Sequence, residues 1–258
     1  GKLGKPNSQC PFRTKFYSTN KIYPNTIGSA EYLTLLNEIA KDNGQQQSPY
    51  SQEPLIHYIN RTDPDLYPDV NWMDLITKDF AMNQRADITV NGGSDILRYA
   101  VVGSYYGEQG IFERDKSQSW NSGTHLNKFN LRSNVDINIT KTTQLTVSVG
   151  GYLQEMNKMA IIFQYDAFRV AFETPPFIHP AYYKEDDNIY FPVVNQRVNP
   201  YVQVTQKGYA TTSQSKIESL FALEQDLKFI TPGLKIKGIF SFDRYSWSGV
   251  TRSKTPDL

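Results

Sequence analysis

The chain has 258 residues and carries 27 Lys and Arg against 26 Asp and Glu, which leaves a formal net charge of +1. This balance leaves no excess of positive charge that would attract a nucleic acid. The single cysteine, Cys10, excludes a disulfide framework and a thiolate metal site. Aromatic residues make up 13% of the chain, including 17 Tyr, as is typical of a membrane interface, a sugar-binding surface or simply a β-rich protein.

The first part of the chain predicts one strand and then a long polar excursion. The strand is expected near residues 8–20, and the excursion covers residues 24–83. Within it, residues 29–43 predict a helix, because Tyr32, Leu35, Leu36 and Ile39 recur at helical spacing before Gly44. Shorter helical turns are expected near residues 55–59 and 72–76.

The next segments alternate with period 2, as strands with one apolar and one polar face do. Strands are predicted at 84–93 and 96–107, and a polar excursion at 108–126 follows them. The clearest pattern is a hairpin with strands near 127–140 and 145–155. Its apolar parity contains Phe129, Leu131, Val135, Ile137 and Ile139, followed by Leu145, Val147, Val149, Gly151 and Leu153.

A second long excursion is predicted at 156–215. It contains a helix in which Ile161, Ile162, Tyr165, Phe168 and Phe172 recur at helical spacing, and the helix ends at Thr174-Pro175-Pro176. Alternation then returns in strands near 216–230 and 234–247, joined by a turn at Thr231-Pro232-Gly233.

The connections between strands are of two kinds. Those after residues 93, 140 and 230 are tight, and those after residues 23, 107 and 154 are long. Short turns at one end, long loops at the other and alternating strands of about 9–11 residues are typical of transmembrane β-barrels. A soluble β-sandwich also alternates and also has uneven loops, so periodicity leaves both architectures open.

Several short motifs occur in an order that resembles the SusC/RagA-like group of TonB-dependent outer-membrane transporters. Gly1 to Pro6 is similar to the junction between that family's plug domain and its first barrel strand. The further matches are Gly28 to Tyr32 with Asn37-Glu38, Asp69 to Trp72, Ile88 to Gly93, Tyr99 with Gly107 to Phe112, Thr174 to Pro176, and Asn199-Pro200. The resemblance extends over nearly the whole chain.

The resemblance implies an antiparallel transmembrane β-barrel of about 22 strands with a plug in its lumen. It also implies an outer-membrane location in contact with lipid, energy from TonB, a SusD-like lipoprotein lid, and uptake of oligosaccharides or peptides. The expectation for residues 1–258 is a fragment with about the first six strands and without the plug domain, because so few strands cannot close such a barrel.

Two groups of residues are candidates for the function implied by this resemblance. Arg98, Arg132, Asn134 and Asp136 are expected to face the lumen, where they solvate the wall or contact the plug. Aromatic residues in predicted loops are the candidates for substrate or lid contact, because sugars stack on rings; the competing interpretation is packing within the loops. They are Trp120, Tyr182, Tyr183, Tyr190 and Tyr201.

No motif predicts catalysis or a cofactor. The sequence has no phosphate loop, zinc-ligand spacing or nucleophile elbow, and His57, His125 and His179 are expected to be ordinary loop histidines. Glu185-Asp186-Asp187 is expected to be a solvated acidic turn rather than a calcium site. The prediction is therefore a transporter and not an enzyme. A soluble carbohydrate-binding β-sandwich is the first alternative, and a β-rich glycoside hydrolase with two carboxylates about 5–10 Å apart is the second.

Overall fold

The computed structural model describes residues 7–9, 12–18, 25–160, 164–186, 188–192 and 198–255. One antiparallel sheet dominates them and confirms the expected fold class, all-β with short helices in the loops. The strands in chain order are β1 (Asn7–Gln9), β2 (Phe12–Ser18), β3 (Phe80–Gly93), β4 (Leu97–Gln109), β5 (His125–Asn138), β6 (Thr143–Met159), β7 (Tyr183–Glu185), β8 (Asn188–Tyr190), β9 (Gly208–Asp226) and β10 (Lys235–Ser253).

The main sheet follows the order of the chain. β1 and β2 pair with successive parts of β3, and β4, β5, β6, β9 and β10 follow, each antiparallel to its neighbour. β7 and β8 form a separate hairpin. Within the described ranges the main sheet does not close, and its edges are β1 with β2 on one side and β10 on the other. An open sheet agrees with the expectation of a fragment from a larger barrel.

The register of the sheet brings residues of one parity together on one face. Phe129 pairs with Leu153, and Val135 pairs with Val147. Directly opposed residues of antiparallel strands lie on the same face, so the apolar parity of β5 and β6 forms one surface and the polar parity forms the other. The hairpin predicted from this alternation is therefore confirmed.

The apolar face of the sheet is uncovered in the part of the chain that the structure describes. Leu131 is 57% exposed and Phe240 is 64% exposed. A soluble β-sandwich would bury such residues against a second sheet. The other sheet among the described residues is the short hairpin of β7 and β8, which does not pair with the main sheet.

The two ends of the sheet differ as predicted. Tight connections at 94–96 and 139–142 and a compact turn at 227–234 join strands at one end. At the other end, the chain makes long connections between β2 and β3, between β4 and β5, and between β6 and β9. The elaborate part of the molecule therefore lies at one end of the sheet.

Several strands have bounds that differ from the predicted ones. β9 begins at Gly208 instead of residue 216, and its first residues are mostly polar, so no apolar alternation marks them. They are strand because they pair with the extended end of β6, where Tyr209 is opposite Met159. β9 also ends before residue 230, because the backbone N–H groups of Ile230 and Thr231 both bond the Leu227 carbonyl and turn the chain.

The helices lie in the long connections. They are α1 (Ser29–Asp42), α2 (Gln52–Asn60), α3 (Trp72–Ile76), α4 (Gln164–Glu173) and α5 (Pro200–Thr205). Helices were expected at the first four positions; α5 was not predicted. The start predicted for α4 at Ile161 and Ile162, and the predicted plug junction at residues 1–6, lie outside the described residues. Among the described residues, no helix is long and apolar enough to cross a membrane.

The buried core lies beside one end of the sheet and not across its face. We call the described residues 25–79, 110–124 and 160–207 the loop cap. α3, α4 and α5 pack there with the end of β6, and Ile76, Met159 and Val204 are almost fully buried. The full buried cluster is Trp72, Met73, Ile76, Phe112, Met159, Ala167, Ala171 and Val204. This core holds the loops in a defined arrangement over the end of the strands.

Candidate ligand-binding surface

The four residues expected to face a lumen share the polar face of the sheet. Arg98 is directly opposite Asp136, and Arg132 and Asn134 follow at alternate positions of β5. The Thr146 hydroxyl on β6 donates to the Asp136 carboxylate at 2.7 Å. The structure therefore brings these side chains onto one surface, although their orientation toward a lumen stays a prediction.

Charged groups on this face are paired across short distances. The Arg85 Nε donates to the Asp87 carboxylate at 2.9 Å, Lys216 pairs with Glu218, and the Lys128 ammonium lies 4.9 Å from the centre of the Tyr152 ring. Water and salt screen such exposed pairs, and holding the side chains in one geometry costs rotamer entropy. The face is thus a hydrated surface of mixed charge, and its pairs add little to stability.

Trp120 is held in the loop between β4 and β5. Its ring stacks on Tyr209 of β9, with 6.0 Å between the ring centroids. The buried Asn157 amide donates to the carbonyls of Asn121 and Gly123 at 2.9 and 2.8 Å, which fixes the chain on the C-terminal side of Trp120. These contacts support the packing interpretation for Trp120.

A second set of polar contacts ties the same loop to α5. The Gln206 side chain is 1% exposed, and its amide donates to the Asp115 carboxylate at 2.7 Å. The Gln118 side-chain amide donates to the Gln206 side-chain oxygen Oε1 at 2.9 Å, and the Ser117 hydroxyl donates to the Asp115 carboxylate at 2.6 Å. Partial burial opposes ionisation of Asp115, but these hydrogen bonds outweigh it and hold its pKa below the ordinary value.

Tyr201 lies in α5 and not in a loop as predicted. Its ring contacts Tyr182, with 5.7 Å between centroids, and Phe191, with 6.2 Å. Burial, and then the nearby charge of Asp115, raises the pKa of Tyr201 to about 12. Tyr201 therefore anchors the base of the β7–β8 hairpin, and Tyr182 and Phe191 are the two residues that pack on it.

Three of the five predicted aromatic residues are exposed, namely Tyr182, Tyr183 and Tyr190. Tyr182 packs on Tyr201, whereas Tyr183 and Tyr190 have no ring contact among the described residues. They lie in strands β7 and β8 instead of a loop, and they are directly opposed in the hairpin. Tyr183 is 37% exposed and Tyr190 is 48% exposed. Period-2 alternation places both rings on one face, opposite to the face that carries Lys184 and Ile189.

The contact between Trp72 and His179 in the core of the loop cap was not predicted from the sequence. His179 was expected to be an ordinary loop histidine, but it is 2% exposed and its ring meets the Trp72 indole edge-on at 5.1 Å between centroids. Its Nδ1 lies 2.8 Å from the Pro180 carbonyl, and its Nε2 is buried without a partner. Burial lowers the pKa of His179 and favours the neutral ring.

A metal site on this surface would need several ligand side chains that converge on one point. No group of three or more His, Cys, Asp or Glu side chains converges in the described part of the chain. Glu185 and Asp186 are exposed at the tip of the hairpin, and Asp187 lies outside the described residues.

No family model matches the sequence, and no curated protein matches it. Solved structures do match its fold. The chain is similar in fold to part of the RagAB peptide importer. The structure of that importer in its closed-closed state aligns with a TM-score of 0.59 and 13% identity, over 96% of this chain and 29% of the RagAB chain. A structure of the RagAB peptide transporter aligns with a TM-score of 0.61 and 12% identity, over 95% of this chain and 29% of that chain.

Because the sequence identity is low and the chain spans only 29% of the RagAB chains, this likeness shows the fold alone. Membership of the group named from the sequence motifs stays a prediction. The matched RagAB structures are described as a transporter and an importer, and that this chain is not an enzyme stays a prediction. Substrate and partners are taken up below.

Proposed function

We propose that this chain forms part of the wall and the outer loops of an outer-membrane peptide importer. In this proposal the exposed apolar face contacts lipid and the polar face lines a wet interior. The tight turns then lie on the periplasmic side and the loop cap lies outside the cell, as in bacterial outer-membrane barrels. The RagAB likeness supports peptides as the substrate class; oligosaccharides are the other class implied by the motif resemblance.

The observation that carries this proposal is that the apolar band slants across the rows of the sheet. On β4 the band reaches up to Tyr105, which is level with Phe129 and Leu153 on the next two strands. On β10 the band ends at Phe242. The row of paired residues that contains Phe242 runs through Ser219, Val149 and Ser133 to Val101 of β4, which lies below Tyr105. The top of the band therefore drops along the strands between β4 and β10.

A slanted band is the pattern that tilted strands require. Strands of a membrane barrel are inclined by about 35–45°, so a level layer of lipid crosses each successive strand at a different residue. The lower limit of the band moves in the same direction. On β3 the lower limit lies at Val90, which is level with Val101 of β4. On β10 it lies at Ile236, one position of the same parity below Gly238. Gly238 is in turn level with Leu223, Leu145 and Leu97, so the limit on β10 is lower than on β3.

The partners in this proposal follow from the same arrangement. A SusD-like surface lipoprotein would lie over the loop cap, and TonB would act through a plug domain inside the barrel. Captured peptide would enter past the cap and the polar face, and the residues of this chain would bind and guide it. Bond-making chemistry has no part in this mechanism.

A pair of adjacent substitutions tests which face meets lipid. Leu131→Arg places a charge on the apolar face near the centre of the band, and we expect it to cost about 2–4 kcal/mol in membrane assembly. Asn130→Arg places the same charge on the polar face and is the matched control. The measurement is the fraction of the transporter that reaches the outer membrane as a heat-modifiable barrel. Equal assembly of both variants, or loss of the Asn130 variant alone, would contradict the proposal.

A further inference from the structure

The β7–β8 hairpin differs from the rest of the loop cap because all six of its strand residues are exposed. A two-stranded hairpin alone is marginally stable in water. Here Tyr182 and Phe191, which flank the strands, pack on Tyr201 and anchor the base. The two strands therefore extend from an anchored base, and in the described part of the chain each strand has a strand neighbour on one side only.

The two faces of the hairpin have different chemistry. Tyr183 and Tyr190 are opposed on one face, and the next pair on that face, Glu185 and Asn188, lies toward the tip. Asp186 adds a second exposed carboxylate in the turn, with a backbone φ of 54° that suits an Asp in a tight hairpin. Two electron-rich rings beside carboxylates form a surface that is complementary to a cation.

We propose that this face of the hairpin binds the Arg or Lys side chains of an extended cationic peptide. The peptide would pair along a free edge of the hairpin as an added strand, so that alternate side chains meet the Tyr183 and Tyr190 rings. The guanidinium or ammonium group stacks on the rings, and Glu185 and Asp186 neutralise its charge. This inference rests on the proposed function and names the substrate class of the importer more closely.

The inference also divides the five predicted aromatic residues by role. Trp120 stacks on Tyr209, while Tyr182 and Tyr201 pack on each other, so these three build the support. Tyr183 and Tyr190 are also exposed, and within the described residues neither ring packs on that support. Binding should therefore respond to Tyr183 and Tyr190 and not to residues of the opposite face.

The test measures peptide binding by the complete transporter in detergent, by calorimetry. The probes are a short glycine-serine peptide with two arginines and its neutral citrulline counterpart. We expect the Tyr183→Leu, Tyr190→Leu double variant to bind the arginine peptide about five- to tenfold more weakly, since each ring contributes a modest cation–π contact. The Tyr183→Phe, Tyr190→Phe variant keeps the rings and should bind within about twofold of the unmodified protein.

Two further variants control the interpretation. Glu185→Gln should weaken binding of the arginine peptide about threefold and reduce its dependence on salt. Ile189→Ala alters the opposite face and should leave Kd unchanged. The citrulline peptide should bind the unmodified protein several-fold more weakly than the arginine peptide, and the double Leu variant should bind both peptides alike.

The outcomes separate this inference from the proposed function. If the unmodified transporter binds neither peptide, both the proposed function and this inference are contradicted. If it binds both peptides equally well, or if the double Leu variant binds the arginine peptide normally, this inference alone is overturned. Loss of maltohexaose binding in the double Leu variant, with peptide binding intact, would instead assign the Tyr pair to a sugar and would also overturn it.

Discussion

Leu131 on β5 and Arg244 on β10 occupy the same row of the sheet, connected through the paired positions Gly151 and Ile217. Both belong to the parity that forms the apolar face. Leu131 lies inside the exposed band, whereas Arg244 follows Phe242, the last apolar residue of the band on its strand. One row therefore holds an exposed leucine of the band and an arginine. Under the proposed function tilted strands account for both, because the row would leave the lipid layer before it reaches β10.

This relationship predicts opposite responses at two positions of β10. Phe240→Arg puts a charge within the band and should reduce membrane assembly by about 2–4 kcal/mol. Arg244→Leu lies above the band and should change assembly by less than about 0.5 kcal/mol. Folding yields of the two variants in lipid vesicles, titrated with urea, provide the comparison. If Arg244→Leu instead improved assembly by as much as Phe240→Arg impairs it, position 244 would lie within the lipid layer and the band would be level and not slanted.

A second prediction concerns Gly151, where β6 and β9 approach closely. A Cβ atom at this position would collide with the carbonyl oxygen of Lys216, whereas a Cβ at Gly238 on β10 meets nothing within 4 Å. Gly151→Ala should therefore destabilise the sheet by about 1–3 kcal/mol, as overpacking does. Gly238→Ala is the matched control and should be neutral. Urea midpoints of the two variants decide the matter, and equal midpoints would show that β9 adjusts freely.

A third prediction concerns the buried Gln206 amide. Gln206→Leu removes its bonds to Asp115 and Gln118 and leaves a partly buried carboxylate short of a donor, at a cost of about 1–3 kcal/mol. The loss should be local. Protease cleavage within residues 110–124 should accelerate, while barrel assembly persists. Gln203→Leu, on a less buried position of α5, is the control, and cleavage that is equally fast in both variants would contradict the role given to Gln206.

A fourth prediction follows from the lowered pKa of His179. The folded cap holds the neutral ring, while the unfolded chain titrates at the ordinary value of 6.5, so the unfolded state binds more protons just below that pH. The stability of the cap should therefore be highest above about pH 6.5 and should fall as the pH drops toward the lower pKa of the folded state. Hydrogen exchange in α3 and α4, measured over this range, reports the change.

The matched variants for this effect are His179→Gln and His57→Gln. His179→Gln should remove the acid-dependent part of the exchange, at the cost of a cap that is less stable at neutral pH. His57 stacks on Tyr67 near the edge of the cap, with 4.4 Å between centroids, and its replacement should leave the pH profile of α3 and α4 in place. An unchanged profile in His179→Gln would assign the acid response to another group.

The sequence predicted which polar residues share one face of the sheet, but it did not predict which aromatic residues pack within the loop cap and which stay exposed. Alternation along β5 was enough to group Arg132, Asn134 and Asp136, because period 2 is a local property of a strand. The different packing of Tyr183 and Tyr190 on the one hand and of Trp120 and Tyr201 on the other could not be predicted from neighbouring residues in the sequence. It depends on Tyr209, Tyr182 and Phe191, which reach those rings only through the fold. His179 was likewise misjudged, because its burial comes from Trp72, which is distant in the chain.

By itself the sequence determined the strand positions within the apolar band, the tight turns between them and the division into one apolar and one polar face. These features arise from interactions over a few residues. Only the tertiary structure decided where β9 begins, how the loop cap packs and which aromatic rings stay exposed. Those outcomes depend on contacts between segments far apart in the chain, such as the pairing of β9 with the end of β6 and the packing of α5 against α3 and α4.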